Sequence, residues 1–218
     1  MAVGAVVAAV AFPAPDIAGG AERSRTPVTP LPAAVWWGVA GIAALGLVQS
    51  MTFGFLERVG SDRGYGLQAV TGVLIALGVV NLFPAALAAV LEKRWAARNV
   101  LLAGPALQAL LVVVIMNSPV FAPYAAAAAV FAAVMIFTHT FAFGVLARLD
   151  PSGRALAATP AMLMFGAAIG PILGGTLVKA WGYGSLGVAA LVIDVVAVYA
   201  FARIHRAPGA AVAVKGMA

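Results

Sequence analysis

Six long apolar runs occupy nearly everything after Leu31, at 32–56, 67–91, 99–116, 121–146, 155–178 and 183–201. An α-helix rises about 1.5 Å per residue, so about twenty residues cross a hydrocarbon core of about 30 Å. Each run is long enough to cross a bilayer alone. The chain therefore reads as an all-α polytopic membrane protein, with a six-helix transmembrane domain over 32–206 and lipid as its solvent. Composition agrees. The 218 residues are 64% hydrophobic and 9% charged, whereas a soluble domain carries about 25% charged residues. A soluble helical core does not account for that excess.

The formal net charge of +6 does not point to nucleic acid, because the cations sort by side. Arg23, Arg25, Lys93, Arg94, Arg98, Arg148, Arg154, Arg203, Arg206 and Lys215 fall on one side of six crossings; Arg58, Arg63 and Lys179 fall on the other. Cytoplasmic loops retain Lys and Arg, so the expectation is a plasma (inner) membrane protein with both termini in the cytoplasm. No cysteine is present, which excludes disulfides, thiolate metal sites and cysteine nucleophiles.

Residues 1–12 are apolar but too short to cross. No Lys or Arg precedes them, so the charged start of a signal peptide is missing. They read as the cytoplasmic end of a helix whose beginning is absent. Residues 13–31, rich in Pro, Gly, Ala, Ser and Thr, read as a flexible cytoplasmic linker, and 207–218 as a cytoplasmic tail. The connections between runs are short: 57–66, the basic 92–98, a minimal turn at 117–119, a Pro-Ser-Gly turn at 151–153, and 179–182. Trp36, Trp37, Trp95, Tyr124, Trp181 and Tyr183 sit at the predicted span ends and read as an aromatic belt at headgroup level.

Three stretches resemble a known family. They are GLVQSMTFG at 46–54, the basic connection LEKRWAAR at 91–98, and ARLDPSGR at 147–154 running into GAAIGPILGG at 166–175. The last fits the G-x-x-x-G-P-x-x-G-G pattern of antiporters of the major facilitator superfamily. With a leading half-helix, a linker and six spans, the chain resembles the C-terminal half of such a transporter, its loops reminiscent of bacterial drug- or sugar-efflux members. An N-terminal half would carry the full acidic-arginine loop after its second helix, and 91–98 lacks that loop's glycine pattern. The resemblance implies two inverted three-helix repeats, 32–116 and 121–206. It also implies secondary transport of a small solute by alternating access, as proton-coupled efflux. The other six helices would come from a separate N-terminal half or a second copy of this chain.

Within that frame, Gly166, Gly170, Gly174 and Gly175 line a helix face, with Pro171 among them and Pro160 near the start. Small faces let helices approach closely in lipid, and proline removes a backbone hydrogen bond, so this helix reads as a gate or close-packing element. Asp194 is the sole acidic residue deep in a span and His139 the sole histidine in one. A charge at the bilayer centre costs roughly 2.5–3.5 kcal/mol on insertion scales, so both are proton-coupling candidates. Each lies nine residues before an arginine, Arg148 or Arg203, roughly 13 Å inside the boundary, which makes an Asp194–His139 pair a reading to test. Family architecture implies that the first and fourth spans line a substrate cavity, giving Gln49, Ser50, Phe53, Thr138, His139, Thr140 and Phe141 as candidates. Asn81 near Pro84 and Gln108 near Pro105 read as satisfying backbone groups freed by proline.

Residues 182–187 fit G-x-G-x-x-G literally. The nucleotide fingerprint needs a preceding strand, and here the match falls in a turn between spans. No catalytic residue, metal site or cofactor is read. Two rival classes remain: a six-span protein working as a homodimer, and a membrane enzyme or assembly factor. The second requires ionisable groups clustered at one depth.

Overall fold

The computed structural model describes residues 30–204; the readings made for 1–12, most of 13–31 and 207–218 lie outside the described residues. Eight helices follow in order: α1 (Ala33–Asp62), α2 (Leu67–Val80), α3 (Pro84–Leu91), α4 (Ala97–Asn117), α5 (Phe121–Leu149), α6 (Arg154–Ala157), α7 (Thr159–Trp181) and α8 (Gly184–Ile204). They make six segments long and apolar enough to cross a membrane: α1, α2 with α3, α4, α5, α6 with α7, and α8. They are called spans 1 to 6 below. No strand occurs among the described residues.

Span boundaries follow hydropathy, but helix ends do not. The first apolar run stops at residue 56, yet α1 continues through Glu57 and Arg58 to Asp62. Once nucleated, a helix adds residues cheaply, so it runs past the apolar stretch until Gly64 turns back at φ 73°. Span 2 is not one helix. It breaks over Asn81, Leu82 and Phe83, and α3 restarts with Pro84 in its first turn, where a missing N–H costs nothing. Span 5 breaks at Ala158, just before Thr159 and Pro160. Pro105 and Pro171 lie inside helices that continue through them.

The spans pack in a pattern that survives exchanging span 1 with 4, 2 with 5, and 3 with 6. Span 1 packs most heavily on spans 5 and 6; correspondingly, span 4 packs on spans 2 and 3. Spans 3 and 6 pack on each other, as do spans 1 and 4. This is the packing expected of two inverted three-helix repeats.

Small residues set the contacts. A methyl group on Gly166 would stand 2.7 Å from the Gly46 carbonyl carbon, and one on Gly170 2.7 Å from the Met51 nitrogen. Gly41 lies under the Phe201 ring, and Gly104 under Thr138. Without a hydrophobic drive between helices in lipid, such close backbone approach supplies the association.

The interior separates into two apolar clusters stacked along the bundle. One, toward the basic connections, includes Val35, Ile42, Leu45, Leu101, Phe141, Leu146, Ala197 and Phe201. The other, toward the opposite face, includes Val48, Met51, Val112, Ile115, Tyr124, Phe131, Leu186 and Ala190.

The two rims differ in their polar ties. At the rim away from the basic connections, the Arg63 guanidinium donates to the carbonyl of Ile115 at 2.9 Å and to that of Met116. These are C-terminal carbonyls of α4 that its own helix leaves open. The Tyr65 hydroxyl donates to the Ser118 carbonyl at 2.9 Å, Tyr124 to the Leu56 carbonyl at 2.8 Å, and Tyr183 to the Asp62 carboxylate. At the basic rim, Arg148 and Glu92 form an exposed ion pair at 2.6 Å, and the Arg203 guanidinium of span 6 lies over the Trp37 ring of span 1.

The aromatic belt holds in part. Trp36, Trp95 and Trp181 are exposed at span ends, and Trp37 meets Tyr199 edge-on beneath the Arg203 guanidinium. Tyr124 is a correction. It is fully buried and acts as an interhelical tie, because its hydroxyl finds the Leu56 carbonyl inside the bundle.

Candidate functional site

Buried polar side chains gather at the height where the two apolar clusters meet. On span 3, Gln108 lies between Leu101 of one cluster and Val112 of the other. On span 4, Thr138 and His139 lie between Ala132 and Phe141; on span 6, Asp194 lies between Ala190 and Ala197. On span 1, Gln49 lies just past the junction, beside Val48, and Thr52 lies farther on, between Met51 and Leu56 of the second cluster. All six are buried.

Helix register puts three of them at one height. Gly41 of span 1 meets Phe201 of span 6; seven residues on along span 1 is Val48, and seven back along span 6 is Asp194. Gly187 of span 6 meets Val113 and Asn117 of span 3. Seven residues on from Gly187 is Asp194, and seven back along span 3 is 106 to 110, which brackets Gln108. Asp194 therefore stands level with Gln108 and with Val48, the neighbour of Gln49.

The hydrogen bonding of this layer is incomplete. Gln108 donates from Nε2 to the Leu45 carbonyl at 3.1 Å, joining span 3 to span 1. The reading that Gln108 serves a group freed by Pro105 is thus corrected: its partner is on another helix. Gln108 Oε1, both amide atoms of Gln49, Thr52 Oγ1 and both carboxyl oxygens of Asp194 have no hydrogen-bond partner among the described residues. Asp194 is 1% exposed. An unsatisfied buried polar atom costs about 1–3 kcal/mol, and five oxygens and one amide nitrogen of these side chains are without a partner among the described residues.

The other candidates go to different places. His139 approaches the Ile42 carbonyl with Nε2 at 3.4 Å, contacts Met135 sulfur with Nδ1, and stacks on Phe143 with centroids 5.6 Å apart. Asp194 has no such bond, so the Asp194–His139 hydrogen bond is not formed. Thr138 donates back to the Val134 carbonyl at 2.8 Å, which satisfies its hydroxyl locally, and Thr140 does the same with Ile136 at 2.9 Å. Ser50 lies beneath Gly170 in the seam between spans 1 and 5. Phe53 is 39% exposed and meets Phe131 edge-on at 5.8 Å. Phe141 belongs to the apolar cluster and packs on Phe137. These residues do not line one cavity within the chain. Phe53 and the half-buried Ser50 and Thr140 have open surface; Gln49, His139 and Phe141 do not.

On span 5, Gly166, Gly170 and Gly174 form the buried stripe against span 1, Gly174 meeting Phe55 and Met51. A methyl group on Gly175 would stand 3.9 Å from the Phe55 ring, an ordinary contact, and Pro171 is exposed. Asn81 sits at the break in span 2 with a buried, unpartnered Oδ1. No signal in the sequence singled out Thr52, whose partnerless hydroxyl depends on its neighbours across the bundle.

Outside the spans, Asp150 organises the span 4–5 turn. Its carboxylate accepts from the Ser152 hydroxyl, the Ala155 amide at 2.8 Å and the Ser152 amide at 3.2 Å. These bonds, that from the Ser152 hydroxyl foremost, hold its carboxyl below the usual carboxylate range. Burial, helped by the hydrogen bond to Asp62, pushes the Tyr183 phenol above its usual range. Among the described residues no group of three or more His, Cys, Asp or Glu lies together to hold a metal ion.

No protein-family model matches the chain, and no curated protein or solved structure matches it either.

Proposed function

We propose that the chain is six spans of a secondary transporter of the major facilitator type, moving a small, partly apolar solute by alternating access, with proton-coupled efflux as the direction. The observation that carries this reading is the packing that survives exchange of the two three-helix halves, an organisation typical of transporters that rock around a site at mid-depth. The partnerless polar layer at that depth supports it, since intramembrane ionisable groups are functional candidates by default. Catalysis forms no part of the reading.

Spans 2 and 5 present exposed apolar side chains over most of their length, among them Ile75, Val79, Leu82, Met164, Phe165 and Ile172. We take a second six-span unit, either a separate polypeptide or another copy of this chain, to cover these faces and complete the cavity that Ser50, Phe53 and Thr140 open onto. Asp194 is the proton carrier in this scheme and His139 a positioning group, tied to span 1.

The test uses the purified chain in liposomes carrying an acid-inside gradient and a pH-sensitive dye. A panel of amphipathic amines and sugars is added outside. Solute-dependent proton movement by the chain alone supports a working homodimer; movement only with a co-reconstituted six-span partner supports the two-polypeptide form. Proton movement in neither arrangement counts against proton-coupled transport.

A further inference from the structure

A groove of about 750 Å³ runs between spans 2, 3 and 4 at the end that carries the basic connection. It exists because span 2 packs on span 4, and span 4 on span 3, while the break before Pro84 lets the end of span 2 stand apart. Its walls are Phe83, Leu87, Leu107, Val130 and Phe137, all apolar, and its floor is the close contact of Gly104 with Thr138. Its mouth is different. Arg94, Trp95 and Asn99 line it, and Trp95 meets Phe137 edge-on at 5.8 Å.

The charge at the mouth is uncompensated. Glu92, the acidic residue of this connection, is engaged with Arg148 at 2.6 Å. Arg94, Lys93 and Arg98 form no ion pair among the described residues. The first turn of α4, beginning at Ala97 beside Arg94, has no side-chain cap, so its open N–H groups add partial positive charge at the same place.

We infer that this groove is a binding site for an anionic phospholipid, with an acyl chain along Phe83, Leu87, Leu107 and Val130 and the phosphate at Arg94 and Asn99. The volume falls in the roughly 300–1,000 Å³ range of built ligand sites. An apolar trench whose lining cation, Arg94, is in no ion pair, with Lys93 and Arg98 close by in the same connection, matches the two chemistries of such a lipid, and basic pockets between spans are a known way to hold acidic headgroups. A zwitterionic lipid offers the same chain without net charge, so the site discriminates at its mouth. The inference stands apart from transport: it needs the groove and the cations only.

Trp95 supplies the readout. In a W36F/W37F/W181F background, the protein is placed in phosphatidylcholine nanodiscs containing either phosphatidylglycerol or phosphatidylcholine brominated on its acyl chains, at equal mole fraction. Brominated phosphatidylglycerol is expected to quench Trp95 more strongly. R94Q, at an exposed position, is expected to weaken the preference about fivefold, and A103F, which fills the groove wall, to reduce quenching by both lipids. Near-equal quenching by the two lipids, or a preference unchanged in R94Q, overturns the inference. Circular dichroism of each variant checks that the helices persist, and a mole-fraction titration with unbrominated phosphatidylglycerol as competitor gives the preference independently of any variant.

Discussion

Gly166 lies against Gly46 so closely that one added carbon would stand 2.7 Å from the Gly46 carbonyl carbon. Backbone meets backbone there, and neither side has a flexible side chain that can move away. At Gly170 the added carbon would likewise meet atoms that cannot swing aside, the Met51 nitrogen and the Ser50 Cβ, each at 2.7 Å. G166A and G170A are each expected to destabilise the detergent-solubilised protein by about 1–3 kcal/mol through overpacking. G175A, whose added carbon meets only ordinary contacts, should stay within about 0.5 kcal/mol. Denaturant unfolding followed by circular dichroism ranks the three; equal stability of G166A and G175A would show that the stripe is not the contact between spans 1 and 5.

The absence of cysteine makes topology directly measurable. Single replacements S61C, K93C, S152C and S185C place one thiol in each of four connections or span ends. An impermeant maleimide added to intact cells should label S61C and S185C, while K93C and S152C should react only after the membrane is opened. Labelling of all four from one side would remove the six-crossing arrangement.

Asp194 and His139 have separate surroundings, His139 tied to the Ile42 carbonyl and Asp194 without a hydrogen-bond partner among the described residues. If Asp194 carries the proton, D194N should abolish gradient-driven transport yet leave solute exchange without a gradient. H139Q, which loses the tie to Ile42, should lower driven transport as well. Gradient-driven transport retained in both variants would take these residues out of the mechanism.

Asp150 gives a pH signature outside the membrane. Its folded carboxyl lies below the usual range, so its bonds to Ser152 and Ala155 add stability above the unfolded value of about 3.9. That contribution is lost as pH falls through the folded value. D150A should be less stable than the parent at neutral pH, and the gap should close under acid. A pH-independent gap between the two would mean that the charge of Asp150 plays no part in the turn.

The six spans were legible because hydropathy over twenty residues is a strong and local signal. Helix ends were not, since α1 follows backbone cooperativity past the lipid boundary to Asp62. The break in span 2 was hidden because Leu82 and Phe83 are as apolar as a helix needs, although Pro84 marked the place. Single rare residues, Asp194 and His139, stood out by type alone. Gln108, Thr52 and Tyr124 did not declare their roles, because the Leu45 carbonyl that Gln108 reaches and the Leu56 carbonyl that Tyr124 reaches are distant in sequence.

The unequal rims have a mechanical consequence. Arg63, Tyr65, Tyr124 and Tyr183 lash spans 1, 3, 4 and 6 together at one end with hydrogen bonds, those of Arg63, Tyr65 and Tyr124 buried or half-buried, while at the other Glu92 and Arg148 form an exposed clasp and Arg203 lies over Trp37. A bundle fastened this way behaves like a clothes peg. The lashed end is its fulcrum, and the jaws are the ends beside residues 92 and 148, so amide exchange there is expected to outpace exchange around residue 115.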